Sequence, residues 1–246
     1  MKIKILCHNC VVEGATSEKE KYTILEVNDN GFYSSKCYKG HAIDCFIGNR
    51  KHELLFDEGL FSLSDSNFRN SIFNIAASLE RFYEYFITIM LLHNGIDVKN
   101  ISSTWKQIDN QSERQLGGFI ILFLNEFGYK PELIKDSVLG FRNKVIHKGY
   151  FPTKKETEEY INEIGKYLIQ YQKVIISKYN MEITKEYFNR NIKIKEISKT
   201  TSQMNSFMLI PTYFQMSIKN PRAEFNLSEA LEYVKKYKKN VYEPEI

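Results

Sequence analysis

The first fifth of the chain carries all four cysteines, at spacings that suit a metal ion. Two residues separate Cys7 from Cys10, and three residues separate Cys37 from His41. Two such pairs supply the thiolate and imidazole ligands of a tetrahedral structural zinc site. The residues between the pairs must then fold back so that the two ends of the segment meet.

Two alternatives to this ligand set remain open. Cys45 competes with His41 for the fourth position, whereas His8 lies too close to Cys7 to join the same tetrahedron. The second alternative is that the thiols are buried without a metal. A disulfide framework is disfavoured, because the cytosol is reducing. We predict a structural Zn²⁺ in a closed site, which holds a small β module together and leaves no open position for catalysis.

A second group of reactive residues lies in the segment FRNKVIHKG at 141–149. Arg142 offers a permanently charged, bidentate donor to a phosphate, and His147 is of the type that moves protons near neutral pH. Asn143 and His147 are four residues apart and share one face of a helix, while Arg142 is rotated by about 100° and must reach round with its long side chain. A simpler explanation is that Arg142 and His147 stabilise the carbonyl end of a helix, with Gly149 as its C-cap.

Amphipathic helices must position this segment. Apolar residues recur at three- and four-residue spacing in four stretches. The predicted helices run from Ser64 or Asp65 to near Gly95, over 113–127, from Pro131 until Gly149, and onwards from a capping box of Thr153 and Glu156. Four consecutive helices with short connections predict an antiparallel bundle.

The two ends of the chain differ from this bundle. Runs from Tyr22 to Val27 and from Phe32 to Ser35 flank an Asn-Asp-Asn-Gly turn and predict a β-hairpin. Residues 206–218 read as a strand interrupted by Pro211, and Asn226 caps a final, lysine-rich helix. The fold class is therefore mainly α, with three parts: a β module at 1–48, a helical bundle at 62–180 and a short α/β extension at 181–246.

Composition limits the function without deciding it. The apolar fraction of 43% can build a core, and a net charge of +4 is compatible with an RNA or DNA partner. The pI near 8.6 is below that of a dedicated nucleic-acid-binding domain. With no long apolar run and no signal peptide, we expect a cytoplasmic protein with no membrane partner.

Two segments resemble known families. Residues 5–46 resemble a zinc ribbon, whose second knuckle often reads Cys-x-x-Gly-His, as does Cys37-Tyr38-Lys39-Gly40-His41 here. The segment FRNKVIHKG resembles the motif of HEPN domains, all-α bundles whose ribonuclease members carry Arg, usually followed by a polar residue, and then His about five to seven positions after the Arg. This second resemblance covers roughly residues 65–178.

The HEPN resemblance implies a site and a reaction. Arg142, Asn143 and His147 would be the catalytic residues, in a composite site made by two protomers. The implied reaction is RNA cleavage without a metal, which leaves a 2′,3′-cyclic phosphate and a 5′-hydroxyl. In some HEPN proteins an acidic residue of the first long helix lies near the motif, and Glu80 is the candidate here. We nevertheless interpret Glu80, with its neighbours Arg81 and Glu84, as a solvated helix face.

These inferences predict a homodimeric endoribonuclease that acts on RNA as a toxin or anti-phage defence effector. Its cofactor would be structural Zn²⁺, with none for catalysis, and an antitoxin or a phage-derived trigger protein would be a further partner. The alternative is a non-catalytic HEPN scaffold whose zinc ribbon recognises nucleic acid or a protein partner. His52 and His93 have no partners at ligand spacing, and we expect both to be surface or capping residues.

Overall fold

The computed structural model describes residues 1–198, 205–214 and 223–242 of the chain. Within these ranges the protein is mainly helical, with short strands near the N-terminus, as predicted. The first elements are β1 (Lys2–Leu6), α1 (His8–Val12), α2 (Glu18–Lys21), β2 (Tyr22–Glu26), β3 (Phe32–Lys36) and β4 (Ala42–Ile47). The later elements are α3 (Lys51–Ser64), α4 (Phe68–His93), α5 (Val98–Trp105), α6 (Ser112–Phe127), α7 (Asp136–His147), α8 (Lys154–Lys178), α9 (Asn180–Ser198), β5 (Asn205–Met208) and α10 (Leu227–Tyr242).

The N-terminal strands form two separate antiparallel pairs. Ile3 of β1 lies opposite Leu25 of β2, and Ser35 of β3 lies opposite Ile43 of β4. The predicted hairpin between β2 and β3 is therefore wrong, although the turn itself forms, with the Gly31 N–H donating to the side chain of Asn28 at 2.9 Å. Because β1 supplies the hydrogen-bond partners of β2, the turn only links one sheet to the next.

Helix α4 lies at the centre of the bundle, where α3, α6, α7, α8 and α9 pack against it. Its apolar stripe is buried as the periodicity predicts, but it begins at Phe68, after the N-cap Asn67, and not at Ser64 or Asp65. Ser64 and Asp65 instead end α3, a helix that the sequence patterns did not reveal. The predicted start is therefore too early and falls on the end of the preceding helix.

The apolar periodicity did not predict α3, because the buried face of this helix is partly polar. His52, Glu53 and Asp57 are all buried there, so the apolar spacing of a core helix is interrupted. The helix also approaches α4 closely, since a Cβ at Gly59 would lie 2.6 Å from the side chain of Ile75. A glycine allows this packing.

Helix α5 was not predicted, but the three later helices of the predicted bundle, α6 to α8, match the prediction except for one boundary. Helix α6 has the expected bounds within one residue, and α8 has its capping box, in which Thr153 Oγ1 accepts from the Glu156 N–H at 3.3 Å. Helix α7, however, begins at Asp136 and not at Pro131. The segment before it is held in a non-helical form by α8, where Tyr171 donates its hydroxyl to the Glu132 carbonyl at 2.7 Å.

The C-terminal segments return to both earlier parts of the molecule. Strand β5 pairs in parallel with β4, and the predicted strand over 206–218 ends at Met208, while its residues 215–218 lie outside the described ranges. Helix α10 begins as predicted, because Asn226 Oδ1 accepts from the N–H of Glu229 at 3.2 Å. The fully buried carboxylate of Asp57 accepts from the Tyr213 N–H at 3.0 Å and fixes this return segment to α3.

None of the helices in the described ranges combines the length and the apolar character that a bilayer-spanning segment needs.

Candidate functional site

The two pairs of predicted metal ligands lie at the ends of the two N-terminal strand pairs. Cys7 follows β1 and is the N-cap of α1, which carries Cys10. Cys37 follows β3, and His41 directly precedes β4. The Cys37 N–H donates to the His41 carbonyl at 3.0 Å, and Gly40 completes this tight turn with a φ of +87°. Each strand pair therefore contributes two ligands.

The four side chains meet at separations close to those of a tetrahedral metal centre. Their ligand atoms, three Sγ and one imidazole nitrogen, all lie within 4.8 Å of one another. Cys10 Sγ lies 3.5 Å from Cys37 Sγ and 3.4 Å from His41 Nδ1, and Cys7 Sγ lies 3.7 Å from that nitrogen. With usual bond lengths, a tetrahedral zinc centre has edges of about 3.6 to 3.8 Å between such atoms. These residues could therefore hold a metal ion.

The local environment affects two of these thiols in opposite directions. Burial, together with hydrogen bonds to Cys7 and Cys37, raises the pKa of Cys10 to about 12. Burial also opposes ionisation of Cys37, but hydrogen bonds from the Cys10 thiol and from the backbone N–H groups of His41 and Lys39 lower its pKa to about 7. Cys37 can bind as a thiolate at neutral pH, whereas a metal must displace the proton of Cys10.

Glu13 completes the cluster, and the sequence patterns did not identify it. Its Oε1 lies 3.1 Å from Nε2 of His41, and its Oε2 lies 3.1 Å from Nζ of Lys39. A carboxylate on the outer nitrogen of a ligating histidine fixes the ring and leaves the other nitrogen for the metal. The sequence signal was slight, since Glu13 only lies three residues after Cys10, at the end of α1.

The alternative ligands lie elsewhere. Cys45 is fully buried on β4, opposite Tyr33, and its Sγ donates to the Phe46 carbonyl at 3.7 Å. His8 is exposed on α1. The cluster thus contains His41 as its fourth residue.

The Arg142 segment forms the C-terminal half of α7 and lines a polar cleft of about 590 Å³. Arg142 is held on two sides, because its Nη2 lies 2.7 Å from Glu80 Oε1 and its Nη1 lies 3.0 Å from Asn143 Oδ1. Val145 points the other way, is fully buried and packs this end of α7 into the main core. The fold therefore brings Arg142, Asn143, His147 and Glu80 together in one cleft.

Glu80 reaches the cleft from α4. Its side chain is 27% exposed and that of Arg142 is 20% exposed, so their ion pair is partly shielded from water. The expectation of a solvated face here is wrong, and Arg81 is also paired, with its Nη1 2.7 Å from Glu84 Oε2. Because Arg142 binds a carboxylate of another helix, stabilising the carbonyl end of α7 does not account for its position.

His147 is the last residue of α7 and is exposed at the edge of the cleft. Gly149 follows with a φ of +69°, as expected of a glycine just beyond a helix end. Within the described chain, no side chain or backbone group is hydrogen-bonded to the His147 ring. The ring is thus open to a hydrogen bond with a molecule that enters the cleft.

The opposite wall of the cleft consists of residues that no spacing pattern had marked. It is formed by the segment before α6 and by the first residues of that helix, namely Asp109, Asn110, Gln111, Ser112 and Glu113. Buried Gln115 fixes this segment, with its Nε2 donating to the Asp109 carbonyl at 2.8 Å and its Oε1 accepting from Arg81 at 3.4 Å. Lys148 adds a second positive charge near Arg142.

Two further histidines lie outside both sites. His93 is exposed as expected, and its Nδ1 lies 3.2 Å from Glu182 Oε1. The prediction for His52 is wrong, because this residue is only 1% exposed. Burial, with the positive charges of Arg50 and Arg190, holds the pKa of His52 well below its usual range.

Comparison with known proteins leaves the function to be inferred from this geometry. No protein-family model, no curated protein and no solved structure matches the chain.

Proposed function

We propose that this chain is a metal-independent endoribonuclease of the HEPN type, with Arg142, Asn143 and His147 as its catalytic residues. The observation that carries the proposal is the convergence of Arg142 and His147 in one polar cleft, with the guanidinium held 2.7 Å from Glu80. A fixed cation for the phosphate and an unpaired imidazole for proton transfer are the groups that this reaction needs.

The reaction is an internal transesterification of RNA. The 2′-oxygen attacks the adjacent phosphorus and loses its proton, the bond from phosphorus to the 5′-oxygen breaks, and that oxygen gains a proton. The products carry a 2′,3′-cyclic phosphate and a 5′-hydroxyl. His147 transfers a proton, Arg142 stabilises the negative charge that builds on the phosphoryl oxygens, and Asn143 orients Arg142 through its carbonyl oxygen.

A second copy of the chain is part of the proposal. The reaction uses one group as base and another as acid, whereas His147 is the one histidine among the described residues that line the cleft. Its exposed position leaves room for the same residue of a second protomer. The active form would therefore be a homodimer, and we place it among toxins or anti-phage effectors that cleave cellular RNA.

We also propose that the cysteine cluster binds Zn²⁺ in a structural role. Sulfur and imidazole ligands at tetrahedral separations favour zinc among the common metals. Four protein ligands would close the coordination sphere, so the ion would stabilise the N-terminal strands and take no part in cleavage.

The test is a cleavage assay with purified protein and mixed RNA in EDTA, in which the RNA ends are analysed for cyclic phosphate. We expect His147→Ala and Arg142→Ala each to reduce the rate by about 100-fold or more while the protein stays folded. Lys144→Ala is the matched control, because Lys144 is exposed on the same helix but does not line the cleft. Cleavage that survives both cleft substitutions would reject the proposal.

Other outcomes would assign a different class. RNA that stays intact with a well-folded dimer would favour the non-catalytic scaffold. Activity that chelator abolishes, while fold and dimer persist, would indicate zinc-dependent hydrolysis.

A further inference from the structure

A second cavity, of about 730 Å³, lies between the N-terminal strands and the helices α3, α4 and α9. It shares no lining residue with the Arg142 cleft. Its volume lies within the range of small-molecule sites. The aliphatic part of its wall is formed by Val27, Ile47, Leu54 and Leu55.

Five side chains in this wall have a buried atom without a hydrogen-bond partner in the described part of the chain; two of these atoms, Glu58 Oε2 and Glu186 Oε2, are paired with a cation, which leaves three with no partner of either kind. Arg50 Nε, His52 Nε2 and Tyr85 Oη have no hydrogen-bond partner among the described residues. The three groups form one patch, because the Arg50 guanidinium lies 4.4 Å from the centre of the Tyr85 ring and the His52 ring lies 5.3 Å from it. Buried polar groups of folded proteins almost always have partners, so such a patch calls for a ligand.

The charged residues around the cavity are already paired with one another. The pairs are Arg50 with Glu186 at 3.3 Å and with Glu53 at 3.6 Å, Arg190 with Glu186 at 3.1 Å, Arg81 with Glu84 at 2.7 Å, Lys51 with Asp29 at 2.6 Å and the N-terminal amine with Glu58 at 3.1 Å, so that five anions balance five cations. No charge of either sign is left over for a ligand. Burial also raises the pKa of Tyr85 and lowers that of His52, so both are neutral near pH 7.

We propose that this cavity binds an uncharged heterocycle of the nucleobase type. Arg50 Nε donates a hydrogen bond, whereas Tyr85 and neutral His52 can each donate or accept, so together they match the polar edge of a base. The aliphatic wall covers the remainder of the ring. A free nucleoside and an unpaired base of an RNA strand present the same edge. The site is independent of the proposed ribonuclease chemistry.

Binding is measured by calorimetry with adenosine, guanosine, cytidine and uridine and with their 5′-monophosphates. At least one nucleoside binds, and its monophosphate binds no tighter because the cavity has no unpaired cation. Competition by a short single-stranded RNA identifies a base of a strand as the source, and its absence identifies the free nucleoside. No binding by any nucleoside, or much tighter binding of the monophosphates, overturns the proposal.

Tyr85→Phe provides the sharper test. It removes the unpaired hydroxyl without changing the ring, and we expect about tenfold weaker binding while the ligand-free protein melts at the same or a higher temperature. Tyr83→Phe is the control, because the buried Tyr83 hydroxyl lies 3.3 Å from that of Tyr167. This variant melts lower and still binds. If Tyr85→Phe leaves binding unchanged, or lowers the melting temperature as Tyr83→Phe does, the patch is structural.

His147→Ala separates the two proposals. This variant keeps nucleoside binding whether or not it still cleaves RNA, because His147 does not line the cavity. A binding failure in the wild-type protein therefore counts against the cavity alone.

Discussion

The cysteine cluster and the Arg142 cleft hold their residues in opposite ways. In the cluster, four ligand atoms lie within 4.8 Å of one another and the three cysteines are buried. In the cleft, Arg142 is tied to Glu80 at 2.7 Å, while His147 is exposed. The cluster is complete within one chain and suits a permanent structural ion. The cleft leaves hydrogen-bonding groups free, as a site must if a substrate is to supply the missing partners.

The largest expected effect comes from removing one ligand of the cysteine cluster. Structural zinc contributes about 10–16 kcal/mol to the folding of zinc-finger peptides, so its loss should unfold a small module. We expect one zinc per wild-type chain and none in Cys10→Ser, with rapid amide exchange in β1 and β2 but continued protection of α4 and α8. Metal analysis and hydrogen exchange measure these outcomes.

Cys45→Ser is the control for that experiment. Cys45 is as buried as Cys10 but lies outside the cluster, so its variant should retain zinc. The reverse result, zinc lost with Cys45→Ser and kept with Cys10→Ser, would contradict the ligand assignment.

A smaller effect on zinc binding is expected from Glu13, whose carboxylate contacts the outer nitrogen of His41. Glu13→Gln should weaken zinc binding by about 10- to 100-fold, because the carboxylate orients His41 and increases its basicity. Competition with a chromophoric chelator gives the affinity. Glu18→Gln removes a comparable ion pair, with Lys4 at 2.9 Å, away from the ligands. Equal affinities for the two variants would show that His41 needs no such support.

The cleft should respond more weakly to the loss of the ion pair between Glu80 and Arg142. Glu80→Gln should slow RNA cleavage by about fivefold, because a partly exposed ion pair holds a side chain by roughly 1 kcal/mol. Single-turnover kinetics at saturating RNA measure the change. Glu84→Gln on the same helix, which pairs with Arg81, should leave the rate unaltered. A rate loss in both variants would indicate a general disturbance of α4.

The smallest effect concerns His52, which lies in the bundle, outside both the cluster and the cleft. His52 stays neutral when folded because its pKa is held low, so below the ordinary histidine pKa the unfolded chain binds a proton that the folded chain does not. The free energy of unfolding therefore decreases as the pH is lowered, by about 0.7 kcal/mol from pH 7 to pH 6 for this residue. His52→Gln should remove that part of the slope in urea unfolding. An unchanged slope would mean that His52 is protonated in the fold.

The sequence determined what depends on neighbours along the chain. The apolar repeat of α4, the capping box at Thr153 and the glycine after His147 are local features, and the structure contains each of them. The spacing of the cysteine pairs also indicated Cys7, Cys10, Cys37 and His41, but the choice of His41 over Cys45 came only from the structure. Short-range geometry is fixed by a few residues, so its pattern can be recognised in one sequence.

Tertiary structure alone decided the contacts that join distant segments. Glu80 and Arg142 are 62 residues apart, and nothing in the spacing shows which face of α4 meets α7. The partner of β2 is likewise β1 and not the strand across the turn, and only the fold shows that the polar residues of α3 are buried. Such pairings follow from how whole elements fill a common core, whereas the local patterns by themselves are compatible with many arrangements of those elements.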